Sequence, residues 1–112
     1  MNKVILCGNV GVDPTMRMVE NRPMAAFTLA TTERRRGRDA DGKAIELPPL
    51  TEWHHIVMWG TAAEYAEKYI RTGSKLLVEG KLRTRRWTDR NALEHSRTEI
   101  HVDSFELLPK GN

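Results

Sequence analysis

The sequence predicts an all-β domain that contains one helix. Short runs of alternating apolar and polar residues recur along the chain, as is typical of strands, and only one segment has the apolar spacing of a helix. The 112 residues suit one small domain, and a 39% apolar share is enough for one compact core. We expect that domain to span residues 1–108, with a short C-terminal end at 109–112.

The first two strands are predicted at residues 2–10 (NKVILCGNV) and 24–32 (MAAFTLATT). The stretch GNVGVDP supplies turn residues after the first strand, and Asn21, Arg22 and Pro23 form a plausible hairpin turn before the second. Cys7 is the single cysteine, so it has no partner for an internal disulfide. Its place in an alternating strand predicts a buried thiol.

The segment 33–50 (ERRRGRDADGKAIELPPL) is polar and contains two glycines and a proline pair. It is predicted to be either a long loop or an extended hairpin tip. The third strand follows at 51–59 (TEWHHIVMW).

The helix begins near Thr61, which has capping-box spacing to Glu64. Apolar side chains at i, i+3, i+4, i+7 and i+8 form one stripe that is expected to pack in the core, namely Ala62, Tyr65, Ala66, Tyr69 and Ile70. Gly73 is the predicted stop signal.

The last two strands are predicted at 75–88 and 95–108, with a turn at 89–93. Five strands with a helix between the third and fourth match the five-stranded OB-fold barrel, an architecture that commonly binds oligonucleotides. An SH3-like barrel fits less well, because a full three-turn helix is not expected at this point of that fold.

Positive charge is concentrated in two places, although the net charge is only +3. One cluster holds Arg34, Arg35, Arg36 and Arg38, and the other holds Lys81, Arg83, Arg85, Arg86 and Arg90. Two basic clusters indicate a polyanionic partner, with ordinary surface charge as the alternative.

Side chains alternate along a strand, so parity assigns the faces. In the fourth strand, one face holds Leu76, Val78, Leu82 and Thr84, which suit a barrel interior. The other holds Lys81, Arg83, Arg85 and Trp87, and Arg86 points away from Trp87. In the third strand, Trp53, His55, Val57 and Trp59 share one face, and His54 lies on the other.

Indoles beside cations suit single-stranded nucleic acid, because bases stack on the rings while arginine and lysine track the phosphates. A duplex hides its base faces, so single strands are favoured. A core position is the ordinary alternative for any one of the tryptophans.

Several ordered blocks carry a family resemblance: NKVILCGNVGVDP, FTLATTE, TEWHHIVMWG, AEYAEKYIRTGSKLLVEGKLRTRRW and TEIHVDSFELL. Together they resemble the bacterial single-stranded DNA-binding protein family from about residue 2 to residue 108. The resemblance implies an OB fold that assembles as a homotetramer and binds single-stranded DNA without sequence specificity. It also implies roles in replication, recombination and repair in the bacterial cytoplasm, associated with the nucleoid.

The resemblance assigns roles to individual positions. Trp53, Trp59 and Trp87 fall where the family places stacking aromatics, and His54 falls at a histidine important for subunit assembly. Lys3 and Lys81 lie near the expected DNA path, with solvated lysines as the alternative.

The chain departs from the family in two places. Many members carry another stacking tryptophan between the second and third strands, where this chain has the ERRRGR run, so we expect Arg35 or Arg36 to substitute. Relatives usually end in a polar linker and an acidic tip, whereas this chain ends in LPKGN. We therefore expect no partner recruitment through such a tail.

Other function classes are less well supported by the sequence. The four histidines lack metal-ligand spacing, and no phosphate-binding glycine loop or nucleophile elbow occurs, so we expect no enzyme activity, metal or cofactor. No apolar run is long enough for a membrane span. A primosome-type replication-restart dimer and a protein-binding OB module remain as alternatives.

Overall fold

The computed structural model describes residues 1–109, so most of the predicted C-terminal end at 109–112 lies outside the described residues. Six strands and one helix follow one another along the chain: β1 (Val4–Val10), β2 (Thr15–Val19), β3 (Arg22–Arg38), β4 (Ala44–Trp59), α1 (Thr61–Tyr69), β5 (Lys75–Thr88) and β6 (Glu94–Leu108).

Five of these strands close into a barrel. The hydrogen-bonded order runs β1–β5–β6–β4–β3, and Asn9 and Val10 of β1 return to pair with Ala30 and Leu29 of β3. All pairings are antiparallel except β4 with β6. The five-stranded barrel with its helix between the third and fourth predicted strands is confirmed.

The core is the barrel interior capped by α1. Leu29, Ile56, Met58, Leu76 and Val78 are fully or almost fully buried. Ala63, Ala66 and Ile70 of the helix segment pack against them. Small alanines let the helix approach the strands closely, and their burial contributes to the same apolar core.

The helix differs from its prediction at both ends. Gly60 is the N-cap residue and no side chain caps the helix, so the capping box of Thr61 and Glu64 is wrong. Tyr69 was predicted to pack in the core with the rest of the apolar stripe, but it is 58% exposed. Tyr65 packs between Tyr69 and Phe105. The chain leaves the helix at Ile70, three residues before Gly73, which has φ +91° in the following turn.

The short strand β2 was not predicted. It pairs with β3 in a two-residue hairpin that places Glu20 and Asn21 at the turn, both with positive φ. The predicted turn residues Arg22 and Pro23 already belong to β3. The proline is tolerated there because it lies beyond Met24 and Trp59, the last register pair of β3 with β4, so a missing N–H costs little.

Two long hairpins extend from the barrel. The segment 33–50 is an extended hairpin and not a loop, since pairing continues to Arg38 and Ala44. We call residues 33–50 the β3–β4 arm and residues 84–98 the β5–β6 arm. The radius of gyration is 17.3 Å, compared with about 13 Å for a compact domain of this length, because the arms project from the barrel.

Burial predictions on β5 and β1 are incorrect. Leu82 is 47% exposed and Thr84 is exposed, although their parity matches that of buried Leu76 and Val78. Both residues lie beyond Gly80, the last β5 residue that pairs with β1, so β5 has lost one neighbouring strand at this point. Cys7 is also exposed, because it lies on the outer face of β1 with Ile5.

Candidate nucleic-acid interface

The three tryptophans lie on the outer side of the barrel and its β5–β6 arm. Trp53 and Trp59 are on β4, six residues apart, and Trp87 is near the end of β5. Strand β6 lies between β4 and β5. Its residues on this surface pair in order with Trp87, Arg85, Arg83 and Lys81 of β5, and they are His95, Arg97, Glu99 and His101. One continuous polar and aromatic surface therefore crosses three strands.

Trp53 is a surface residue, not a core residue, with 59% of its area exposed. Its ring rests against Gly11 in the turn after β1, and a Cβ at that glycine would overlap the indole and the Thr28 hydroxyl. The absence of a side chain at Gly11 is what lets the ring lie there. An exposed indole seated on backbone is a suitable platform for a flat apolar ligand.

Trp59 is held by two side chains that the sequence did not single out. Its Nε1–H donates to Nδ1 of His101 at 3.1 Å, and the guanidinium carbon of Arg22 lies 4.9 Å from the ring centroid. An open cavity of about 530 Å³ adjoins this ring, lined by Arg22, Lys81, Arg83, His101, Val102 and Asp103. Its volume accommodates a nucleotide-sized ligand, and most of its charges are positive.

Trp87 has a different set of neighbours. The His95 ring stacks on it with centroids 5.3 Å apart and planes inclined by 19°. The guanidinium carbons of Arg85 and Arg97 lie 4.7 Å and 5.8 Å from the indole centroid. A planar, cationic environment of this kind favours both base stacking and phosphate contact.

His95 is itself fixed by the turn of its arm. It contacts the Asp89 carboxylate at 2.6 Å, and Asp89 also accepts the backbone N–H groups of Asn91 and Leu93. The hydrogen bond with His95, followed by the Leu93 N–H, lowers the pKa of Asp89 from its usual value. Asp89 therefore stays ionised and keeps the His95 ring beside Trp87.

The other predicted contact residues divide into two groups. His55 lies opposite Glu99 across the β4–β6 pairing, and Arg83 and Arg85 face the same surface. Lys81 also belongs here, although the Asp103 carboxylate lies 3.7 Å from its ammonium. Lys3 precedes β1 and forms an ion pair with Glu79, whose hydrogen bond raises the pKa of Lys3.

The arginine run lies on the β3–β4 arm. Arg34, Arg35 and Arg36 are exposed, and Arg35 donates from Nε to the Pro48 carbonyl at 3.0 Å. Strand pairing is irregular here, since Glu33 pairs with Leu50 and Arg35 with Leu47, and two prolines oppose one arginine. Prolines lack the N–H that a regular ladder needs. No contact of the described residues joins this run to the tryptophans.

His54 is placed as parity predicted, on the opposite side of β4 from His55. Its Nε2 is 2.8 Å from the Thr31 hydroxyl, and the ring is half-buried. Its predicted role in assembly stays a prediction. Arg86 is exposed on the β5–β6 arm, in the segment beyond the barrel, and forms no ion pair with any residue in 1–109.

Sequence reasoning missed Arg22, His95, Arg97, Glu99 and His101. Four of these alternate along β6, and the parity argument used for β4 and β5 applies equally to them. Arg22 is placed beside Trp59 by strand register, since it lies two residues before Met24, the β3 residue that pairs with Trp59 of β4.

Within residues 1–109 no group of histidine, cysteine or acidic side chains is arranged to hold a metal ion. In the same range, the one helix is too short to cross a membrane.

Comparison with known proteins identifies the family. A family model described as the single-strand binding protein family matches residues 1–108. A single-stranded DNA-binding protein from Bacteroides thetaiotaomicron is 45% identical over 113 aligned positions, which cover 99% of this chain and 68% of the relative. A solved structure described as the Plasmodium falciparum SSB complex with ssDNA superposes with a TM-score of 0.83 and 30% identity, covering 97% of this chain and 96% of that one. The chain belongs to the single-strand binding protein family.

Proposed function

We propose that residues 1–108 bind and protect single-stranded DNA without sequence specificity, in replication, recombination and repair. The observation that carries the proposal is the outer surface on which three indoles lie among cationic side chains. Bases from any sequence have a π-face, so stacking on Trp53, Trp59 and Trp87 is tolerant of sequence. The Bacteroides relative and the Plasmodium complex support the same ligand.

The geometry supports a different role for each group of these residues. Trp59 and Trp87 act as stacking positions on either side of Glu99, and Arg83, Arg85 and Lys81 lie between them to meet phosphates. Trp53 and His55 continue this surface along β4. Arg34, Arg35 and Arg36 of the β3–β4 arm contribute a second, mainly electrostatic contact. Lys3 contributes less, because Glu79 already pairs with it.

We further propose that the protein acts as a homotetramer. From Val4 to Gly8 the β1 edge that faces away from β5 has no strand partner within the described residues, and free edges are templates for pairing with another chain. Ile5 is 63% exposed beside Leu77 and Phe105, so an apolar patch adjoins this edge. A second copy would cover both features. His54 is proposed as an additional assembly residue.

Two measurements test the proposal. Titration with poly(dT) at low salt should quench the tryptophan fluorescence as bases stack on the rings, and an unchanged signal with no bound DNA would exclude single-strand binding. Mass in solution should equal four copies of the 12.8 kDa chain, about 51 kDa. A dimer of about 26 kDa would instead favour a primosome-type replication-restart protein.

We propose binding without catalysis, in the bacterial cytoplasm where the nucleoid DNA lies. The control is incubation of the purified protein with single-stranded DNA, with and without a chelator. The DNA should stay intact in both samples, and cleavage that the chelator abolishes would identify a nuclease.

A further inference from the structure

Glu99 is a buried acid in the middle of a cationic surface. Its residue is 7% exposed, and it is the one buried charged side chain within residues 1–109. An unpaired carboxylate at such a position is costly, because burial removes its hydration. Both of its oxygens are used: Oε1 lies 3.3 Å from Nε2 of His101, and Oε2 accepts from Nε of Arg85 at 3.3 Å.

The hydrogen bonds define the tautomer of the His101 ring. The indole N–H of Trp59 is a donor only, so Nδ1 of His101 must accept from it. The neutral ring therefore carries its proton on Nε2, which donates to Glu99. The carboxylate thus selects the one tautomer that can also hold the Trp59 ring.

The Glu99 carboxylate also contacts a side chain on the Trp87 side of the surface. It holds the guanidinium of Arg85, whose carbon lies 4.7 Å from the centroid of Trp87. A single side chain therefore links the two stacking positions, through His101 to Trp59 and through Arg85 to Trp87.

We propose that Glu99 is a positioning residue that presets the arrangement of Trp59 and Trp87 before single-stranded DNA binds. The proposal rests on the proposed single-strand binding. Side chains that are fixed beforehand lose less entropy when the ligand arrives, so affinity rises without a direct contact. Glu99 itself need not touch the DNA.

One substitution separates this role from simple electrostatics, because the two predict opposite changes in DNA affinity. Glu99→Gln keeps the shape and removes a negative charge from the DNA-facing surface, so electrostatics alone predicts tighter binding. Positioning predicts weaker binding, because a glutamine oxygen can accept from only one of the two donors, and its NH₂ would face the other. We expect poly(dT) affinity to fall about three- to tenfold.

Asp103→Asn is the matched control. Asp103 is an exposed acid on the same surface, it faces Lys81, and it contacts neither an indole nor His101 in the described hydrogen bonds. This variant should bind poly(dT) more tightly at low salt, and the gain should disappear at high salt. The Glu99→Gln loss should persist at high salt, because stacking is not screened as charge is.

A double-mutant cycle with Arg85→Ala tests whether Glu99 acts on Trp87 through Arg85. If Glu99 acts partly through Arg85, the loss caused by Glu99→Gln should be smaller in the Arg85→Ala background. Equal losses in both backgrounds would contradict the link to Trp87. If Glu99→Gln fails to fold, as thermal melting will reveal, Glu99→Asp keeps the charge but shortens its reach, and it should bind more weakly than the wild type.

The outcomes are distinct from those that test the proposed function. Wild-type protein that does not bind poly(dT) would remove both proposals. Wild-type protein that binds, together with Glu99→Gln that binds equally or more tightly, would overturn the positioning role alone. Glu99→Asp that binds as well as the wild type would overturn it too.

Discussion

The two arms end in the same turn but present different chemistry along their shafts. At the tip of the β3–β4 arm, Asp39 accepts the backbone N–H groups of Asp41 and Lys43 through Oδ1. Asp89 accepts those of Asn91 and Leu93 in the same way at the other tip. In both turns the third residue after the aspartate has a positive φ, +80° at Gly42 and +60° at Ala92.

Beyond the tips the arms diverge. The shaft of the β5–β6 arm carries Trp87 packed with His95, Arg85 and Arg97, whereas the β3–β4 arm has an arginine run and no aromatic residue. An Asx-type turn is satisfied locally by one carboxylate, so it closes a hairpin whatever the shaft presents. In each arm, therefore, the residues that close the turn are separate from the side chains proposed to contact DNA.

The largest expected difference concerns stacking. Trp87→Ala should weaken poly(dT) binding by about 1–3 kcal/mol, because one base loses its ring, and the slope of log affinity against log salt should hardly change. Binding isotherms over a salt series measure both quantities. Leu93→Ala, an exposed residue at the tip of the same arm, is the control and should bind as the wild type does.

Substitutions in the β3–β4 arm should change mainly the salt dependence of DNA binding. Replacing Arg35 and Arg36 together by alanine removes the two phosphate contacts proposed for them, so the salt slope should fall by about 1.4, with a smaller loss of affinity at moderate salt. Arg71→Ala, which removes a cation just after the helix, should leave the slope unchanged. If the double variant instead resembled Trp87→Ala, the arginines would be stacking partners and the contrast between the arms would fail.

Much of the barrel was predictable because its signals are local. Period-two alternation found the five barrel strands, and 3.6-residue spacing found the helix. Errors arose where burial depends on neighbouring strands. Leu82 has the parity of a core residue, but it lies beyond the end of the β1–β5 pairing at Gly80. Cys7 is similar, since a strand pattern alone does not tell which alternate face is covered.

The site shows the same limit. The three tryptophans and the cations of β5 were found from composition and parity within single strands. The two residues that hold Trp59 come from other strands: Arg22 from β3 and His101 from β6. Their approach to the ring depends on the pairing registers of β4 with β3 and with β6. Glu99 carries no sign of its role in the sequence, because an acid in a basic protein normally signals a solvated surface.

The smallest expected effect concerns the tips, where one position has glycine and its counterpart has alanine. Left-handed backbone costs a residue with a Cβ about 1–2 kcal/mol, and glycine escapes that cost but loses more entropy on folding. Gly42→Ala should therefore destabilise its tip by about 1 kcal/mol, whereas Ala92→Gly should stabilise the other tip by at most about 0.5 kcal/mol. A Cβ at Gly42 would meet no atom within 4 Å, and Ala92 is exposed, so the backbone conformation decides the sign of both changes.

Hydrogen exchange of two equivalent amides measures these effects separately. The N–H of residue 42 donates to the Asp39 carbonyl, and that of residue 92 donates to the Asp89 carbonyl. Exchange at residue 42 should become faster in Gly42→Ala, and exchange at residue 92 should become slower in Ala92→Gly. Faster exchange at residue 92 in Ala92→Gly would contradict the prediction. It would mean that the entropy glycine loses on folding outweighs the relief of strain at the left-handed alanine.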